Sequence, residues 1–258
     1  MFKPLFSIIV TTHKRPNLLV RALSSITVQT LQDFEIILIS DVYDLLTIEV
    51  AKNNLREKDT FIMSPHLIGP AESRNMGIKI AKGKWIVFLD DDDAYTDDLL
   101  LNLKEGLDNN TSDVYYTNYI KAKEDRSNLT VIEANKYDIS NVDLKLLEIS
   151  NFIPNCCVIV NSNLAKHVDF DSKLQSHEDW DWLINLSQFA VFKHIKSIGP
   201  IIYESNAGSR NLNAHYTNNL QMDYLSIYRK WKGKTEQIRL SRKNFLAEMG
   251  YSIDSSFL

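Results

Sequence analysis

Cysteine is almost missing from this chain: Cys156 and Cys157 are the only two, and they stand side by side in the apolar run Cys156-Cys157-Val158-Ile159-Val160. Adjacent cysteines rarely bridge, so a disulfide framework is excluded and a reducing cytoplasmic setting is the expectation. Glycine (8) and proline (6) are scarce too, which excludes collagen-like, linker-rich and low-complexity architectures. No eighteen apolar residues stand together, so no membrane-spanning helix is expected. The run Leu5 to Val10 is about half the length of a secretory core, has no small-residue cleavage site and passes into Thr11-Thr12-His13-Lys14-Arg15, so it reads as a strand. Positive charge is not in excess either. With 29 Lys and Arg against 33 Asp and Glu, the net charge is -4 and the pI about 5.9, which argues against nucleic acid as a partner. An anionic substrate would need local positive charge. No internal repeat is visible.

What remains is an ordinary globular composition. The 258 residues, 44% of them hydrophobic, can bury a full core as one α/β unit or as one domain with a small appendage. Through the first hundred residues, β-rich runs at Phe6 to Val10, Glu35 to Ile39, Thr60 to Met63 and Trp85 to Leu89 alternate with helical segments. That is the pattern of a parallel sheet with crossover helices. One helix opens at Pro16, carries Leu19, Leu23 and Ile26 on one face and ends near Gln29; another runs from Pro70 to Lys82 and stops at Gly83. The Thr96 hydroxyl is placed to cap a further helix. Later expectations are a strand at Val114 to Tyr119, a polar connection over Lys121 to Asn128 and a helix near Val142 to Ile149. A strand at Cys157 to Val160, a helix over Ser176 to Phe189, and two short strands around Gly199-Pro200 follow. From Leu220 the chain turns helical and basic.

Chemistry concentrates at Asp90-Asp91-Asp92-Asp93, directly after the strand Trp85 to Leu89. Four adjacent carboxylates repel by ~0.7 kcal/mol per pair at ~6 Å in water and by more where it is drier. A hard divalent ion, Mn²⁺ or Mg²⁺, held by one or two carboxylates and substrate phosphates would relieve this; a solvated acidic turn capping the next helix is the plainer alternative. In open parallel sheets ligands collect beyond the carboxyl ends of the strands. Thr11-Thr12, Ser40-Asp41 and the aspartate run all fall there. Neither a glycine-rich dinucleotide turn nor a Walker sequence is present, so side chains and metal must hold any phosphates. Arg74 and Asn75, near the start of their helix, add a guanidinium that could meet a diphosphate, or could simply pair with Glu72. Glu178-Asp179 opens the helix continuing Trp180-Asp181-Trp182. Ser176 to Asp179 fits a capping box, yet a carboxylate fixed at a helix start is also placed to act as a general base, with the helix dipole lowering its pKa.

The series Ser7-Ile8-Ile9-Val10-Thr11-Thr12-His13-Lys14-Arg15-Pro16, then Gln29-Thr30 and Asp33-Phe34-Glu35-Ile36-Ile37, leads on to Gly69 through Ile78, Ala81-Lys82-Gly83 and Phe88 through Asp93. It continues with Phe170-Asp171 and Glu178-Asp179-Trp180-Asp181. Over roughly residues 5 to 205 it resembles the inverting glycosyltransferases of family 2. The resemblance implies the GT-A fold, a Rossmann-like, mostly parallel sheet flanked by helices, here with a helical C-terminal extension. It divides the chain into a nucleotide-sugar-binding half (1–110), an acceptor-binding and catalytic half of the same domain (111–215) and the extension (216–258). Thr11 and Asp41 would then meet the nucleotide base, Arg74 would lie by the nucleotide, Asp90 would face the ribose with Asp91 sharing that role in the other register, and Asp92 would hold the metal. Asp179 would deprotonate the acceptor hydroxyl, with Glu178 and Trp180 near the acceptor.

Two departures stand out. Ser40-Asp41-Val42-Tyr43 occupies the place where the family often has Asp-Asp-Gly-Ser. Tyr203 through Arg210 lacks the histidine ligand many members carry there, leaving Asn206 or His215 as substitutes. The implied activity is metal-dependent transfer of a sugar from a nucleotide-diphosphate donor to a hydroxyl of a glycan or lipid-linked acceptor, in bacterial surface polysaccharide synthesis. A sugar nucleotidyltransferase would share sheet and metal but should open with a glycine-rich basic loop. A phosphohydrolase would leave Asp179 idle, and a non-catalytic nucleotide-sugar-binding module is the alternative outside enzymes. The segment 229–243 holds seven basic residues against the single acid Glu236. It could rest on the inner face of an anionic membrane or form a solvated helical face.

Overall fold

The computed structural model describes residues 3–107, 112–174, 176–205 and 220–258. In chain order the first half reads β1 (Phe6–Thr12), α1 (Pro16–Thr27), β2 (Phe34–Ser40), α2 (Leu45–Asn54), β3 (Thr60–Met63), α3 (Gly69–Ile80), β4 (Trp85–Asp90), β5 (Ala94–Tyr95) and α4 (Leu99–Leu107). The second half adds the hairpin β6 (Val114–Asp125) and β7 (Thr130–Tyr137), then β8 (Val158–Asn161), α5 (Ser162–Ala165), α6 (Glu178–Leu186), β9 (Phe192–Ser205), α7 (Leu220–Lys230) and α8 (Glu236–Glu248). The α/β class is the one expected, and nine strands form one sheet among the described residues, in the order β3-β2-β1-β4-β8-β6-β9-β5 with β7 beside β6.

β1 and β2 are buried at every position, because helices cover both faces of the sheet, which also explains why these runs show no polar alternation. Ile8 and Val10 enter an apolar layer with Leu19, Leu23 and Ile26 of α1, while Ile9 enters the opposite layer with Ile78 of α3. Parallel pairing of β1 with β2 and β4 sets Thr12 beside Ser40 and Thr11 beside Asp90, so three polar strand ends share one edge. The seating of α3 is close: a Cβ on Gly77 would lie 2.7 Å from the Ile9 side chain. That approach carries Arg74, one turn earlier, to the same edge.

The structure departs from the sequence pattern in five places, four of them in the second half. Lys121 to Asp125 continues β6 rather than looping, because backbone pairing with β7 and β9 supplies the bonds that the polar side chains do not advertise. The helix expected near Val142 to Ile149 is a 3-10 turn, Leu144–Glu148, with only Leu147 buried. Phe192 to Ser205 is one strand, with register shifts opposite Asn118, rather than two. Thr96 does not cap α4; its hydroxyl meets the Ile198 carbonyl. Nor does Ser176 cap α6, since its amide and hydroxyl both donate to Asp223 of α7. The cap position falls to His177, held at φ 58°.

The C-terminal helices are fastened to the domain rather than appended. Ile227, Tyr228, Leu246 and Leu258 complete the core beneath α6. Arg242, 1% exposed, donates to the carbonyls of Glu148, Trp231 and Leu258 at 2.7, 2.6 and 2.8 Å. Lys230 and Trp231 both bond Asp181 at 2.7 Å. The basic segment therefore turns Arg242 into the core and ties Lys230, at the surface, to the buried Asp181. No described helix is long and apolar enough to cross a membrane.

Candidate active site

The shared edge of β1, β2 and β4 forms one wall of a cleft of about 720 Å³, within the ordinary range for a small-molecule site. Thr11, Asp41, Arg74, Asp90, Asp92, Glu178 and Asp179 all line it. Residues separated by up to 168 positions in the chain thus meet because parallel strands end together and α6 begins across from them.

Arg74 is the link between the two sides. Its guanidinium, on a residue 4% exposed, donates from Nη2 to Asp90 Oδ1 at 2.9 Å and from Nη1 to Glu178 Oε1 at 2.6 Å. The expected alternative, a pair with Glu72, is not what the structure shows. Burial works against the Arg74 charge, but Asp90, Glu178 and Asp179 outweigh it and hold the group firmly protonated. Asp90 also accepts from the Thr11 hydroxyl at 2.9 Å. Burial opposes the Asp90 charge, yet Arg74 and Thr11 keep its carboxyl below the usual range.

The four aspartates separate by environment. Asp91 turns inward, fully buried, where it accepts from the Thr12 hydroxyl at 2.6 Å and pairs with Arg15; burial, with Asp92 nearby, pushes it up to about 6 against the pull of Arg15. Asp91 is not among the residues that line the cleft, whereas Asp90 is. Asp92 faces the cleft, its Oδ2 shared by Arg15 at 2.9 Å and Arg126 at 3.3 Å. Asp93 accepts from the Tyr203 amide at 3.2 Å. Burial and the charges of Asp92 and Asp90 push Asp93 well above the usual carboxylate range.

Asp179 accepts from the Trp180 amide at 2.7 Å through Oδ1 and from Asn151 Nδ2 at 3.2 Å through Oδ2. Its pKa is raised to about 6, first by burial and then by Glu178, with Arg74 opposing. This reverses the expectation that the helix dipole would lower it: desolvation and a like charge outweigh a dipole effect that is worth ~0.3–1 kcal/mol. Trp180, expected near the acceptor, is fully buried and donates from Nε1 to the Leu147 carbonyl at 2.6 Å. It supports the helix from behind. Asp41, at the far end of the cleft, meets His13 Nδ1 at 2.7 Å.

Several cleft residues escaped the sequence reading. Arg15 could have been found, since it lies in the same turn as Thr11. Tyr224, on α7, has no local signal and is brought to the cleft by the docking of α7; Arg126, just past β6, does not line the cleft but reaches Asp92 through the β6–β7 hairpin. Arg21 is also part of this frame, donating to the Asp92 carbonyl at 2.6 Å and to Glu124 at 2.5 Å while stacking on the Tyr203 ring. Asn206 and His215 lie outside the described residues.

The donor set bears on a divalent ion. Asp90, Asp92 and Asp93 offer hard oxygens on one wall of the cleft. Among the described residues no three acidic, histidine or cysteine side chains converge enough to enclose an ion. The arrangement suits Mg²⁺ or Mn²⁺ taking one or two carboxylates and completing its shell from a diphosphate and water.

The family model "Glycosyl transferase family 2" matches residues 7–167. An uncharacterized glycosyltransferase of Haemophilus influenzae is 26% identical over 225 residues, covering 86% of this chain and 76% of its own. Chondroitin synthase of Pasteurella multocida is 27% identical across 88% of this chain, which spans only 24% of that protein. The crystal structure of S. aureus TarS in complex with UDP-GlcNAc superposes with a TM-score of 0.69 at 18% identity, covering 96% of this chain and 73% of the other.

Proposed function

Because the chain belongs to glycosyl transferase family 2, with the GT-A fold of the superposed structure, we propose that it transfers a sugar from a nucleotide-diphosphate donor to a hydroxyl of a glycan or lipid-linked acceptor, with inversion at the anomeric carbon. The observation that carries this reading is the Arg74 bridge between Asp90 and Glu178, which ties a nucleotide-side carboxylate to the residue next to the base. Thr11 and Asp41 would meet the nucleoside, and Asp90 the ribose. Asp92 would hold Mn²⁺ or Mg²⁺, which when bound supplies neutralising charge for the departing diphosphate.

Asp179, with its pKa near 6, is ionised at neutral pH and basic enough to draw a proton from an attacking hydroxyl, as a general base tuned toward working pH should be. The Trp180 amide and the Asn151 amide fix the carboxylate. Arg74 stays protonated throughout and stabilises negative charge that builds between the two walls. Attack from the Asp179 side with departure toward Asp92 is a single displacement, which is what inverts the centre.

A sugar nucleotidyltransferase is disfavoured because the His13 amide and the Arg15 guanidinium, in the turn where such an enzyme needs phosphate donors, are committed to Asp91. The similarity to a chondroitin synthase supports a glycan acceptor in bacterial surface polysaccharide synthesis. Contact with the inner face of a membrane would fall to the exposed Arg229, Lys232 and Lys243; the buried, unbridged cysteine pair supports a cytoplasmic setting. The direct test is a panel of nucleotide sugars with and without Mn²⁺ or Mg²⁺, scored for donor hydrolysis and thermal shift. Metal-dependent turnover of one donor is the expected result. Binding of a nucleotide sugar with no turnover in any acceptor mixture would make the protein a binding module instead.

A further inference from the structure

The segment from Asn151 to the 3-10 turn Asn155–Cys157 crosses the floor of the cleft. At one end Asn151 bonds the Asp179 carboxylate; at the other the turn packs against β4, the strand that ends in Asp90. Every residue from Asn151 to Cys156 lines the cleft. A sugar undergoing transfer must lie over this floor, between the base and the aspartates that face the diphosphate.

Asn155 is the anomaly on the floor. The residue is 6% exposed, and its Nδ2 and Oδ1 are both buried without a hydrogen-bond partner. Among the described residues it is the one cleft-lining side chain whose polar atoms are all buried and all unpaired. A buried amide left this way is costly, and such groups in folded proteins ordinarily have partners. The two atoms also define what can satisfy them. Phosphate oxygens only accept, so they would use Nδ2 and strand Oδ1. A metal ion would use Oδ1 and strand Nδ2. A ligand presenting a donor and an acceptor side by side completes both, as two neighbouring sugar hydroxyls do, or the N–H of an acetamido group together with the hydroxyl next to it. Rotation of the amide about its terminal torsion, which is broad for asparagine, suffices to turn it toward such a group.

We propose that Asn155 reads the transferred sugar, taking a side-by-side donor and acceptor on the pyranose ring through its two amide atoms, and so determines which donor is used. This rests on the cleft being a nucleotide-sugar site. The arrangement also separates two affinities: the nucleoside diphosphate is gripped at the strand ends, and the sugar is recognised on the floor.

The test uses the full chain and two variants, Asn155→Leu, which keeps the branched heavy-atom shape without polar atoms, and Asn155→Ala. Calorimetry with UDP, UDP-glucose, UDP-N-acetylglucosamine, GDP and GDP-mannose, each with Mn²⁺, is paired with thermal melting. In both variants the nucleotide sugar that the unsubstituted protein prefers should lose roughly 10- to 100-fold in affinity, while its diphosphate stays within about twofold. Asn155→Leu should melt no lower than the parent. Preference for the glucose or the N-acetyl form identifies the hydroxyl pair or the acetamido group as the partner. Equal losses for diphosphate and sugar, no loss for either, or a lower melting temperature with unchanged sugar affinity would each overturn the assignment, the last pointing to a structural water. If the unsubstituted protein binds no nucleotide sugar at all, the failure lies with the reading of the cleft itself.

Discussion

Asp179→Asn separates catalysis from stability in opposite directions. An unfolded aspartate titrates near 3.8 and Asp179 in the folded protein near 6, so between those values the folded state binds more protons than the unfolded one. Stability then falls as pH rises through that window, and above about 6 the folded protein carries the full penalty of an ionised carboxylate beside Glu178 in a desolvated site. About two pKa units correspond to up to about 3 kcal/mol. Asparagine keeps the shape, still accepts through its oxygen and carries no charge, so it escapes that penalty. The variant should therefore gain stability above pH 6, by up to roughly 6–12 °C in melting temperature for a chain of this size, and gain nothing below pH 4. Transfer should fall by ~10²–10⁴-fold, the usual scale for a general base. In the parent enzyme the rate should decline on the acid side with an apparent pKa near 6. Melting curves at pH 4 and pH 8, with turnover measured on the same preparations, decide it. A variant that melts lower at pH 8, or that keeps near-normal turnover per folded molecule, would show that the carboxylate supports the helix start and that the base lies elsewhere.

The other predictions concern the opposite wall. Arg74→Met strands two carboxylates, Asp90 and Glu178, that now share one buried cation; it should cost about 3–5 kcal/mol in urea unfolding, and a loss under 1 kcal/mol would mean the bridge is dispensable. Asp92→Ala should make nucleoside diphosphate affinity nearly independent of Mn²⁺, as read by calorimetry with and without chelator; an undiminished metal dependence would move the ion to Asp90 or Asp93. Asp41→Ala should weaken nucleotide binding by ~1.5–3 kcal/mol, the scale of a lost charge-assisted hydrogen bond, while leaving the metal requirement intact. Unchanged affinity in that variant would remove Asp41 from the nucleotide site.

The sequence alone determined the parallel half of the sheet and the identity of its polar ends. β1, β2 and β4 are buried on both faces, so their apolar runs are long enough to see, and Thr11, Asp41 and Asp90 mark where those runs reach the open edge of the sheet. Pro16, Pro70 and Gly83 mark helix limits for equally local reasons. Tertiary structure alone decided the partners. Arg74 could as well have met Glu72; only the seating of α3 over Gly77 sends it to Asp90 and Glu178. Which aspartates face the cleft depended on Arg15 claiming Asp91 from inside. Trp180 and Asp179 are neighbours in the chain, yet the helix turns one into the core and the other to the cleft. The strand at Lys121 to Asp125 was illegible because it is held by backbone bonds to β7 and β9, which leave no mark on side-chain polarity. Asn155 was illegible for the complementary reason: a buried amide without a partner is defined by what surrounds it, and its surroundings come from β4, β6 and β9 at once.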